Sequence, residues 1–106
     1  MRAFLTALVL LHGVVMRGPT TPVCQVGVPC SEPAPGAVLV FSHDGRVVAR
    51  VRAGDRGRYS VRLRPGSYAV RVAGQPKIGT GLAPRQITLR AVVSARVNFS
   101  IDTGIR

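Results

Sequence analysis

Residues 55–72 read DRGRYSVRLRPGSYAVRV. Two runs alternate strictly on either side of a Pro-Gly pair. In the first, Tyr59, Val61 and Leu63 fall on one face, and Ser60, Arg62 and Arg64 on the other. In the second, Tyr68, Val70 and Val72 oppose Ser67, Ala69 and Arg71. A period of two over this length predicts two half-buried β-strands. Pro65 presets φ and Gly66 turns the chain, so the pair predicts a tight corner. Tyr68 would enter the core, where its hydroxyl needs a partner. A bond back to nearby backbone would satisfy it.

The rest of the chain agrees with these strands. At 106 residues there is room for one domain and one core. Gly 12 and Pro 8 are too many for a helical bundle, and Val dominates the 46% hydrophobic fraction. That composition predicts an all-β fold. Residues 37–42, AVLVFS, form an apolar run expected to be buried on both faces. Asp44-Gly45 then predicts a type I′ hairpin into residues 46–52, with Val47, Ala49 and Val51 inward and Arg46, Arg50 and Arg52 outward. Ile87 and Leu89 mark a strand over 85–89. Val97, Phe99 and Ile101 mark another over 95–101. With 13–17, 57–63 and 67–72, seven strands are expected. They suggest an antiparallel Greek-key β-sandwich.

Two stretches are less regular. Residues 1–12 join one positive charge to the apolar run of residues 3–11, the size of a signal-peptide core and too short to span a bilayer. An export segment is expected, and with it a secreted or envelope location. The competing reading is an N-terminal helix or a long first strand. Residues 18–36 hold five prolines and exclude helix and interior strand. The chain's two cysteines, Cys24 and Cys30, lie inside this segment and are expected to form a disulfide that stiffens it.

One pattern is familiar. Gly45-Arg46-Val47-Val48, followed by Asp55-x-Gly57-x-Tyr59-x-Val61-x-Leu63-x-Pro65-Gly66-x-Tyr68, resembles the carboxypeptidase regulatory-like domain family. The opening Gly13-Val14-Val15-Met16, the cysteine loop and the closing residues 99–106 resemble a small, stand-alone actinobacterial-type member. The resemblance implies a transthyretin-like (prealbumin-like) seven-stranded sandwich over residues 13–106. It also implies an accessory role, since such modules stand beside peptidases, in adhesin stalks and next to transport proteins. Peptidase activity is not implied.

Catalytic chemistry finds little footing. His43 and Asp44 are sequence neighbours at a hairpin tip, and no Gly-x-Ser-x-Gly elbow is present. Cys24 and Cys30 are spaced too widely for a usual zinc pair, and His12 and His43 stand apart. The Gly-rich residues 79–81 follow Lys77 but lack the rest of a phosphate loop. No enzyme, metal or cofactor is expected. Charge is the remaining signal, with a net +11 from 15 basic and 4 acidic residues. It is either solvent-face filler under codon bias or an attraction to acidic envelope polymer or anionic lipid. Arg62, Arg64 and Arg71 are expected to share one face, extended by Arg50 and Arg52. Few aromatics are available for stacking, so specific nucleic-acid reading is not expected. With no Trp, carbohydrate binding would need another aromatic exposed on a loop.

Overall fold

The computed structural model describes residues 8–18, Gly27, 30–73 and 81–102. Among these there is no helix, and ten strands form two sheets. The six-stranded sheet contains β1 (Val9–Gly18), β2 (Glu32–Pro33), β5 (Arg58–Leu63), β7 (Gly81–Ala83), β9 (Ser94–Arg96) and β10 (Phe99–Asp102). The four-stranded sheet runs β4-β3-β6-β8, with β3 Val38–His43, β4 Arg46–Arg52, β6 Gly66–Val72 and β8 Gln86–Leu89.

The alternation in residues 55–72 places side chains as expected. Tyr59, Leu63, Tyr68 and Val70 are buried, and Arg58, Ser60, Arg62, Ser67, Ala69 and Arg71 are exposed. Each strand contributes its inward set to a core between the sheets. Phe41 of one sheet meets Phe99 of the other edge-on, with ring centroids 6.3 Å apart, and Tyr59 leans on Phe99 at 5.5 Å. Such aromatic pairs add about 0.5–1.5 kcal/mol beyond the area they bury.

The organising strand is β1. Along one edge it pairs antiparallel with β5 over residues 9–14, then with β2. Along the other it pairs parallel with β9, then with β10. The expectation of seven antiparallel strands is therefore corrected on two counts. The first and last strands of the chain run parallel, and the expected strand over 95–101 is broken in two at Val97-Asn98. The break is held by partners on β1. Val97 N–H donates to the His12 carbonyl at 2.9 Å, and the Asn98 side chain accepts the Val14 N–H at 3.0 Å in place of a backbone partner.

Gly13 makes this break fit. A Cβ there would lie 2.0 Å from the Val97 carbonyl oxygen. Tyr59 stands opposite Gly13 on β5. Its hydroxyl reaches past the bare glycine and donates to that same carbonyl at 2.6 Å. A half-buried carbonyl and the phenol of a buried tyrosine thus satisfy each other.

Several boundaries shift. β1 begins at Val9, four residues before the expected first strand. Val9 and Leu11 are fully buried and paired, so the run shared with the expected export segment is also sheet. The Pro-rich segment was expected to exclude helix and interior strand, and the strand it does contain, Glu32–Pro33, pairs with β1 at the sheet edge. This is a two-residue edge, where Pro is tolerated, held by an Arg17–Glu32 ion pair at 2.6 Å. No strand was expected between residues 72 and 85, but Gly81–Ala83 pairs with β10.

Val47 was expected inside and is 46% exposed. The register of β3 against β4 slips between Phe41 and Ser42, so Phe41 faces Ala49 while Ser42 faces Val47. The extra residue turns both Val47 and Val48 out. The hairpin ahead of the bulge is as expected, with positive φ at Asp44 (51°) and Gly45 (80°), the pair of values a type I′ turn requires.

Candidate functional site

The Pro65-Gly66 corner carries the chain from the six-stranded sheet to the four-stranded one, since β5 lies in the first and β6 in the second. Gly66 has φ 151°, a value that suits glycine. The Tyr68 hydroxyl donates to the Arg64 carbonyl at 2.5 Å, the backbone bond expected of a tyrosine corner. The His43 ring tilts against Tyr68, with centroids 5.6 Å apart, and Nδ1 is 2.9 Å from the Ser67 carbonyl. Leu8, Val48, Arg64 and Pro65 line a cavity of about 400 Å³ beside the corner.

This crossing redistributes the expected arginine face. Arg62 and Arg64 do not share a face with Arg71, because the corner puts them in or beside a different sheet. Arg50 and Arg71 do come together. Both stand opposite Val40 in the register, one from each side. Opposite residues leave the same face of a sheet. Val40 is fully buried yet belongs to the outer face, outside the core cluster. The neighbours at its register positions are the two arginines, whose aliphatic stems can lie over it while the guanidinium groups stay in water. Arg52 is the next outward residue on β4, opposite Val38. No acidic residue occurs in β3, β4, β6 or β8.

The six-stranded sheet has its own arginines. Arg62 stands opposite Leu10, and Arg96 and Ser60 flank His12. Arg58 stands opposite Val14. Sequence reasoning missed Arg58 and Arg96 as a pair. Alternation marks Arg58 as outward, but nothing local brings β9 alongside β1.

Among the described residues, Phe41, Tyr59, Tyr68 and Phe99 are all buried. No group of three His, Cys, Asp or Glu side chains gathers there. No described helix is long and apolar enough to cross a membrane. Cys30 is half-buried and is not a free thiol. Cys24, Lys77 and Gly79 lie outside the described residues, so neither the expected Cys24–Cys30 bridge nor the glycine-rich loop is described.

Burial pushes the Tyr59 phenol well above its ordinary value of 10.0. Burial also raises Tyr68, opposed by the nearby Arg64 charge. A raised phenol pKa means that the fold favours the neutral form. Stability is then intact below the ordinary value and falls as pH rises past it, because the unfolded chain gives up the proton first. Phenolate absorbance and the β-sheet circular dichroism signal, followed together on raising pH, should therefore change in step for Tyr59. Full phenolate formation with the sheet signal intact would contradict this.

No family model matches the chain, and no curated protein matches it. A solved structure does: the crystal structure of a DUF3823 family protein from Parabacteroides merdae, with a TM-score of 0.55 and 16% identity. The likeness covers 92% of this chain and 47% of that one, so this chain spans about half the length of that protein. At this identity the likeness is one of fold alone.

Proposed function

We infer that the chain is a non-catalytic, secreted or envelope-associated β-sandwich module with a structural, adhesive or accessory role, and that it holds acidic polymer or anionic lipid through arginine. Its lineage on this reading is the transthyretin-like, carboxypeptidase regulatory-like one. A Cys24–Cys30 disulfide belongs to the same proposal, as a staple for the Pro-rich segment.

The observation that supports binding is the outer face of the four-stranded sheet. Arg50, Arg52 and Arg71 stand there around Val38 and Val40 with no carboxylate in their strands. Guanidinium groups with no carboxylate beside them in the sheet keep their full charge for a partner. Arg62 and Arg64, near the corner, add to the general field but not to this row.

The test is affinity for a densely sulfated polysaccharide over a range of salt. Releasing counterions from three neutralised charges should weaken binding roughly 40-fold between about 50 and 200 mM salt. Affinity that stays flat over that range would sink the reading.

A further inference from the structure

The outer face of the six-stranded sheet carries a second basic feature. A cleft of about 480 Å³ lies over the middle of β1, where the neighbouring strand is broken. His12 and Val14 form its floor, Arg58 and Arg96 its two sides, and Asn98 one end. The register builds this arrangement. His12 pairs with Ser60 on one side and Arg96 on the other, and Val14 pairs with Arg58. Two arginines thus flank one strand from its two sides, offset by two residues along it.

The break between β9 and β10 shapes the end of the cleft. The Asn98 side-chain oxygen is committed to the Val14 N–H at 3.0 Å, which fixes the carboxamide and leaves its NH2 as the donor. The Tyr59 hydroxyl is committed inward to Val97. No carboxylate lines the cleft. The described acidic residues lie elsewhere, with Glu32 on Arg17, Asp44 at the hairpin tip, Asp55 in a turn and Asp102 at the end of β10.

The cleft therefore offers two planar guanidinium forks, an imidazole and an oriented amide donor, with no competing anion. Forked donors converging from two sides suit a compact group with several acceptor oxygens. The geometry points to a discrete site for a tetrahedral oxyanion, the phosphate or sulfate group of a small ester or of a polymer, seated between Arg58 and Arg96 above His12. It is separate from the Arg50–Arg71 row, which belongs to the other sheet.

Inorganic phosphate and sulfate, titrated into the whole chain and followed by amide NMR, test the assignment. Saturable shifts confined to the segments around His12, Arg58 and Arg96–Asn98 are expected. The double variant Arg58→Gln/Arg96→Gln should lose affinity at least about tenfold. Both side chains are exposed, so a retained thermal transition is expected for this variant. Arg46→Gln/Arg85→Gln removes the same charge at and beside the other sheet, from exposed residues of neither proposed site, and should leave the affinity within about twofold. Non-saturating shifts over both faces, or equal losses in the two double variants, would overturn the site in favour of diffuse charge attraction. A sulfated oligosaccharide and a simple phosphate ester, each competing against inorganic phosphate, separate the polymer source from the small ester. Displacement by neither overturns the assignment. These outcomes are independent of the salt-dependent polymer test, so either reading can fail alone.

Discussion

Gly13→Val is expected to abolish the cooperative unfolding transition, and Gly13→Ala to lower it severely. The position tolerates no side chain, because the Val97 carbonyl oxygen lies 2.0 Å from where the first carbon would go. That neighbour is backbone and cannot swing away. Relief requires moving Val97, which breaks the Tyr59 hydroxyl bond and the Val97 N–H bond to His12 together. Overpacking costs about 1–3 kcal/mol, and a buried polar group left without its partner a further ~1–3 kcal/mol. Against a typical domain stability of about 5–15 kcal/mol, the alanine variant loses a large share and the bulkier valine most of it. Urea denaturation measures the difference. Gly54→Ala is the reference, since its added carbon would meet the Arg58 carbonyl at an ordinary 3.7 Å. Equal midpoints for the Gly13→Ala and Gly54→Ala variants would refute the close-approach argument.

Deleting residues 1–12 should leave a chain that does not fold. Val9 and Leu11 are fully buried, and each contributes roughly 1.5–3 kcal/mol by burial alone. The deletion also strips β5 of four of its six register partners in β1. β9 fares worse, because its described pairing is with Leu10, Leu11 and His12. A chain starting at Leu8 keeps every described pairing and is the proper reference. Circular dichroism and a thermal melt of the two chains decide the matter, and a cooperative melt for the shorter one would be the contrary result. The outcome also bears on the expected export segment, because removal of residues 1–12 and an intact β1 exclude each other.

What the sequence made legible follows from the reach of each signal. Alternation is local, and it placed Tyr59, Leu63, Tyr68 and Val70 inside without any knowledge of the partner strands. Turn chemistry is local too, so the Asp44-Gly45 hairpin and the Tyr68 corner were both readable. Parity reports the face of a strand but not the sheet to which it belongs. That is why Arg62 and Arg71 looked like neighbours, although the corner between them changes sheets. A bulge resets parity without leaving a residue signature, and Val47 was misplaced for that reason. The break at Val97-Asn98 is invisible in residues 95–101, whose alternation runs straight through it. The partners that hold it, His12 and Val14, lie some 84 residues away, where an apolar run serves equally well as a signal core or a central strand. The candidate anion cleft was hidden for the same reason, since its two arginines meet only across β1.

The parallel pairing of β1 with β9 and β10 also sets an order in time. Val15 finds Phe99 as its register partner, so β1 cannot be flanked on both edges until synthesis has passed β10. Contacts of such long sequence separation slow folding, because the intervening loop must close before they form. Until then the apolar residues Val9, Leu11 and Val15 wait without their final neighbours, a condition in which chains aggregate or are held by chaperones.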